Sequence, residues 1–250
     1  SCRTPMRTLR TALLCLALCF AGAATLAAQT IPSPYRFIET RHSIGAYAGY
    51  LWTEQAIRVD TVDIPFGPQS APIFGARYGY RVGGPVTLEA ALGFAPSERR
   101  LFRARTVGSD STVTRVDDIE DTGETVGMPI GLLEAGARLH LTGERTWNNL
   151  APFVGITGGL IGRLGGRATA EDSIPQQQRF GFGPGFAVGA GAGTDWFLSE
   201  RFSLRAELRD VLWRLETPLG FRPPSRTTPT VSHSRWGQNI GVTVGGALHF

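Results

Sequence analysis

The sequence contains no lysine, and all 25 of its basic residues are arginine. Three of these (Arg3, Arg7 and Arg10) precede residue 28, so the remainder carries 22 arginines against 21 acids and is nearly neutral. Basic charge is neither in excess nor clustered, which removes the case for nucleic acid as a partner. Cysteine is confined to Cys2, Cys15 and Cys19. A chain starting after that segment has no thiol, which excludes a disulfide framework, a cysteine-ligated zinc site and a catalytic thiol. Outside the N-terminus no run of about 20 apolar residues occurs, which argues against a helical membrane protein. Few segments show the 3.6-residue period of a helix, and 32 glycines recur along the 250 residues, a composition that disfavours helices generally.

The apolar run that does exist lies at the start. Arg7 and Arg10 follow Met6 as a charged region, Ala12 to about Ala21 is apolar, and small residues lead to an expected cleavage after Ala27 or Ala28. Residues 1–28 therefore read as a signal peptide. Leu14 and Leu18, which precede Cys15 and Cys19, are too bulky for a lipoprotein signal. Residues 29–43, with Pro32 and Pro34, read as a lead-in, and residues 44–250 as a single domain.

That domain alternates with period 2, the pattern of strands with two unlike faces. Trp236 to Phe250 is the longest example: Ile240, Val242, Val244, Leu248 and Phe250 fall on one face, with Asn239, Gly241, Thr243, Gly245, Ala247 and His249 on the other. Its length suits a tilted strand crossing a bilayer and exceeds the usual soluble strand. The same alternation runs through Ile44–Gln55, Pro72–Val82, Val86–Phe94, Pro129–Leu141, Leu150–Arg163, a Gly-rich strand starting at Phe182, and a strand starting at Phe202. Gly83-Gly84-Pro85 marks a tight turn. Eight strands result, and their connections alternate in length. The long ones cover 56–71, 95–128, 164–181 and 216–235. An even strand count with turns short at one end and loops long at the other is the layout of a barrel that spans a membrane.

The two faces meet different solvents. One carries almost no charge. Its aromatics gather near strand ends, with Tyr80, Trp196, Phe202 and Phe250 at one rim and Trp52, Phe74, Phe94, Phe182, Trp213 and Trp236 at the other. Ala, Val, Leu and Ile lie between, as in the two aromatic girdles of a membrane barrel. The opposite face carries Arg77, Arg81, Glu89, Glu134, Arg138, Arg205, Glu207 and Arg209. The fold class that follows is all-β, an eight-stranded antiparallel up-and-down transmembrane β-barrel.

The run Gly189-Ala190-Gly191-Ala192-Gly193-Thr194-Asp195-Trp196-Phe197-Leu198-Ser199-Glu200-Arg201-Phe202-Ser203-Leu204-Arg205-Ala206-Glu207-Leu208-Arg209, with the alternating final strand ending on Phe250, resembles the small bacterial outer-membrane barrels of the OmpA-transmembrane, OmpX and OmpW kind. The resemblance covers the whole mature chain, without the peptidoglycan-binding domain of full-length OmpA. It implies residence in the bacterial outer membrane among its lipid and lipopolysaccharide, with a periplasmic lead-in and four extracellular loops. It also implies insertion by outer-membrane assembly machinery that reads Val242, Val244, Leu248 and Phe250, a monomer, and no cofactor or metal. The role expected is structural or a surface interaction, without enzymatic activity.

Several residues invite sharper readings. Charges inside so narrow a barrel should pair across it, with the Gly-rich strands leaving them room. Five arginines against three glutamates on that face would alternatively suit a narrow, anion-preferring pore. Asp210 falls on the apolar face, which predicts a bulge near Arg209–Asp210 that turns Val211, Trp213 and Leu215 outward. The acidic run Asp117 to Glu124 offers oxygen ligands without EF-hand spacing and reads as a solvated loop. Ser232-His233-Ser234 could supply a nucleophile and base for a lipid-modifying enzyme, but no third orienting carboxylate accompanies it. His140 and His249 read as hydrogen-bonded lumen fillers.

Overall fold

The computed structural model describes residues 35–59, 62–104, 119–166, 168–218, 221 and 234–250. The strands are β1 (Tyr35–Phe37), β2 (His42–Thr53), β3 (Ile57–Val59), β4 (Val62–Ile64), β5 (Ala71–Gly83), β6 (Val86–Ala95), β7 (Glu98–Ala104), β8 (Ile119–Gly127), β9 (Ile130–His140), β10 (Arg145–Trp147), β11 (Leu150–Arg163), β12 (Gly185–Phe197), β13 (Phe202–Glu216) and β14 (Ser234–His249).

Eight of these close on themselves. The ring runs β2, β5, β6, β9, β11, β12, β13, β14 and back to β2, each strand antiparallel to both neighbours. Closure leaves the long strands no free edge, the hazard that open sheets must manage otherwise. At the closing seam the His42 and Phe250 backbones exchange two hydrogen bonds of 2.9 Å. His42, nominally in the lead-in, stacks on Phe250 at 5.6 Å, and its Nδ1 lies 2.7 Å from the Tyr78 hydroxyl.

The register fixes the shape. A hydrogen-bonding row leaves β11 at Leu150 and passes Trp196, Leu204, Gly246, Ala46, Ala76, Leu92 and Leu133, returning to β11 at Leu160, ten residues further along. With ordinary strand rise and spacing, eight strands with that stagger tilt by roughly 40°. Each residue then climbs about 2.5 Å along the barrel axis.

The expected in–out parity holds along the barrel strands except in the second half of β13. Ile44, Tyr50, Phe74, Leu92, Leu133, Ile156, Leu208 and Val244 are exposed on the outer wall, while Tyr47, Arg77, Glu134, Arg138, Arg205 and Thr243 are buried inside. Glycine makes room within. A Cβ at Gly75 would run into the Tyr47 ring, and one at Gly193 would lie 2.7 Å from the Phe153 ring. At the tight turn Gly84 adopts φ +57°, where a side chain would be strained.

Three expectations require correction. No bulge interrupts β13: its pairing runs unbroken from Phe202↔Leu248 to Glu216↔Ser234, and the irregularity in the wall lies instead at Arg81/Gly83. Asp210 accordingly stays on the outer face, where Gln238 Nε2 donates to its carboxylate at 2.6 Å. Val211, Trp213 and Leu215 point inward, so Trp213 is buried and is no girdle residue. Phe182 also leaves the girdle. It precedes β12, whose first residue is Gly185, and it packs inward on Trp213 with ring centroids 6.5 Å apart.

The connections hold structure that polarity alone hides. The 56–71 connection contains the β3–β4 hairpin and the 95–128 connection the β7–β8 hairpin. The 164–181 connection carries two short 3-10 turns, Thr169–Ser173 and Gln176–Gln178. At the opposite end β1 of the lead-in pairs with β10, inside the short connection between β9 and β11.

Candidate functional site

The lumen is organised in two layers. Toward the short turns the inward positions of β5, β6, β9, β12 and β13 bring charges together. Arg205 is the hub: its Nε donates to Asp195 Oδ1 at 2.6 Å and its Nη1 to Glu89 Oε2 at 2.8 Å. Arg138 reaches the same two acids, at 3.0 Å to Glu89 and 3.1 Å to Asp195. Arg77 donates to Glu207 at 2.7 Å, and Arg209 to Glu134 at 2.7 Å. The second Glu134 oxygen accepts from the Thr157 hydroxyl at 3.1 Å. Aromatic faces complete the packing, with Arg77 over Tyr47 at 4.4 Å and both Arg138 and Arg205 over Phe153 at about 5 Å. Four arginines thus meet four carboxylates in a neutral set of charge-assisted bonds, the arrangement that makes burial of charge tolerable.

Seven of the eight charges expected in the lumen belong to this set. Arg81 is the exception: it lies at the turn end, where its Nη1 donates to the Ile38 carbonyl at 2.7 Å. Asp195 is the member that sequence reasoning missed. The alternation Gly189, Gly191, Gly193 extends to residue 195 and would have placed it inside. Its presence evens the charge and removes the arginine excess that an anion-preferring pore would need. Nearby, His249 Nε2 lies 2.7 Å from the Ser203 hydroxyl, as expected of a hydrogen-bonded filler. His140 Nε2 approaches Asp195 only to 3.6 Å, and neither of its ring nitrogens has a hydrogen-bond partner among the described residues.

Toward the long connections the lumen turns apolar. Leu51, Ile73, Ile130, Leu132, Ile161, Val211, Trp213 and Leu215 are buried there. The void between these side chains is about 10 Å³, and so is the one beside Glu89, Arg138 and Arg209. Each has room for about one water.

The apolar layer continues beyond the wall. Phe66, Phe102, Met128, Phe180, Phe182 and Phe221, all from the connections, join the same core. Phe66 packs against Phe102 at 5.0 Å and Phe221 at 4.6 Å. Polar contacts lock this cap. Glu171, in the 3-10 turn, is wholly buried and accepts two hydrogen bonds from Arg163 Nη1 at 2.9 and 3.2 Å. Arg99 of β7 forms an ion pair with it at 3.0 Å. Burial lowers the Arg99 pKa from its ordinary value, and Glu171 opposes that shift.

The remaining expected girdle residues stand on the outer wall: Trp52, Phe74, Tyr80, Phe94, Trp196, Trp236 and Phe250 are exposed and Phe202 is half-buried. Val242, Val244 and Leu248 are exposed beside them on β14. Ser232 and His233, Asp117 and Asp118 lie outside the described residues. The rest of the acidic run enters β8, where Asp121 pairs with Arg100 at 3.5 Å. Among the described residues no cluster of His, Cys, Asp or Glu has the geometry of a metal site.

A closed wall with an apolar outer face and ion pairs inside inverts the pattern of a soluble barrel, and it defines the class: a small transmembrane β-barrel. No known family profile matches the sequence, and no curated protein matches it. Among solved structures the chain is similar to Neisserial surface protein A (NspA), at 11% identity over 84% of this chain and 97% of that one, with a TM-score of 0.49. It is also similar to the outer membrane protein OprG from Pseudomonas aeruginosa, at 12% identity over 84% and 97% of the two chains, with a TM-score of 0.46. Ail of Yersinia pestis aligns at 12% identity over 84% and 99%, with a TM-score of 0.36.

Proposed function

We propose that this chain resides in the bacterial outer membrane as a filled, non-conducting barrel that presents a folded cap at the cell surface. The cap serves surface interaction or envelope structure, with no chemical step. The observation that carries this reading is the continuity of the core, in which the apolar lumen and the loop side chains Phe66, Phe102, Phe180 and Phe182 form one cluster. A channel needs a wet path, and both lumen layers are occupied by buried side chains. Loops that feed a common core are held in one arrangement, as a recognition surface requires.

Planar-bilayer recording tests this directly. The purified chain should insert, migrate on gels in a heat-modifiable manner and give no discrete conductance. Steady unitary currents would overturn the filled-barrel reading, and a chain that stays soluble without detergent would overturn its place in the membrane.

A further inference from the structure

Among the described residues the barrel's outer wall carries charged side chains in one sector. On the loop-end half of β13 and β14 the outward positions include Asp210, Arg214 and Glu216, with Leu212 between the first two, beside Gln238 and Trp236. Asp210 and Gln238 bond to each other. Arg214 is exposed and pairs across the strands with Trp236, itself 51% exposed. Ala187 faces Trp213 in β12–β13, which brings the outward Phe186, 57% exposed, alongside Arg214. A single guanidinium is therefore flanked on two sides by open aromatic side chains.

That guanidinium is unlike its neighbours. Arg235 is held by Glu54 at 2.7 Å, Arg99 and Arg163 by Glu171, and Arg179 lies 3.7 Å from Asp172. Arg214 has no hydrogen-bond or ion-pair partner among the described residues, and Glu216 on the same face does not reach it. Its height matters as much. Arg214 stands twelve residues beyond Phe202 and Trp236 fourteen before Phe250. At about 2.5 Å per residue these lie roughly 30 and 35 Å above the turn-end aromatics, against an apolar band about 25 Å tall. Arg214 thus sits at headgroup level and Trp236 just beyond it, where sugar rather than acyl chain is met.

We propose that Arg214 and Trp236 form a site for a phosphorylated glycolipid of the surrounding leaflet, with the phosphate on the Arg214 guanidinium and a sugar face on the Trp236 indole. Phe186 below them packs on the lipid's first methylenes. A guanidinium can grip phosphate through two parallel N–H bonds, and an indole beside it offers the flat face a pyranose needs. The site rests on the membrane placement argued above and adds a ligand class to it.

Native mass spectrometry of the full chain in detergent tests the site. Wild type and variants are titrated with diphosphorylated lipid A, its dephosphorylated form and phosphatidylglycerol. Wild type should retain the phosphorylated glycolipid in preference to both others. Arg214→Ala should lower that retention about tenfold, as loss of a charge-assisted contact implies. Trp236→Ala should lower it less, Arg214→Lys should restore part of it, and Glu216→Gln should raise it. Equal retention by wild type and Arg214→Ala, indifference to the phosphates, or a preference for phosphatidylglycerol would each overturn the site. Heat-modifiable migration and vesicle insertion run in parallel: failure there refutes the membrane reading, whereas normal insertion with unchanged retention refutes only the site.

Discussion

Arg205 shows how single residues hold this barrel. It serves Asp195 and Glu89 at once, and both are buried with it. Truncation to alanine leaves Asp195 and Glu89 sharing Arg138, with Arg77 3.8 Å from Glu89. Breaking a buried pair from one side costs roughly 3–5 kcal/mol, so Arg205→Ala should destabilise the folded chain by about that amount in reversible urea unfolding from lipid vesicles. Arg205→Lys should recover only part, because a point charge cannot reproduce the forked contact. Trp213 makes the complementary case. It is 1% exposed beneath the cap. Trp213→Ala should cost roughly 3–5 kcal/mol through the cavity it opens, whereas Trp236→Ala on the outer wall should fall within about 1 kcal/mol. Equal effects at the two tryptophans would contradict the inward placement of Trp213. That placement is not legible in the sequence, because Asp210 on an apolar face looks like a misfit that a bulge would relieve. Gln238, across the strand, already satisfies Asp210 on the outer face, so the register had no reason to slip.

The barrel strands could be read because each must separate two solvents, and a period of 2 is the only way a strand does so. Leu150–Arg163 agrees with its expected bounds residue for residue, and the others lie within a few residues. The connecting elements carry no such constraint. The β7–β8 hairpin is charged on its open face, with Arg100, Arg103, Glu120 and Asp121, and its buried side is supplied by partners far away in sequence. Leu101 and Val126 pack on Ile174 of the third long connection, a contact that no local pattern announces. The 3-10 turn holding Glu171 is the latch between these elements, since Arg163 comes from the wall and Arg99 from the hairpin. Glu171→Gln strips the charge that both guanidiniums face. Amide exchange should then accelerate across residues 168–178 and in β7, while β9, β11 and β13 keep their protection. Unchanged exchange in the cap would mean that its apolar contacts alone hold it.

At the scale of the whole molecule the two lumen layers stand in series, and on the filled-barrel reading proposed above each alone blocks the path. Removing Arg205 opens space among the charges but leaves Leu51, Ile73, Leu132, Val211 and Trp213 packed above it. Removing Trp213 opens the apolar layer but leaves four carboxylates and four arginines bonded across the section below. Ions need both openings at once, because a dry apolar constriction excludes them even when wide polar space lies on either side. Neither Arg205→Ala nor Trp213→Ala should therefore conduct in a planar bilayer. The double substitution, with Leu215→Ala added to widen the upper layer, should give small, flickering currents. It should also favour potassium over chloride, since four carboxylates then face three arginines. Conductance in either single variant would show that one layer was never a barrier. A silent triple variant that still inserts and migrates as a folded barrel would place the block elsewhere, in the cap built from Phe66, Phe102, Phe180 and Phe182.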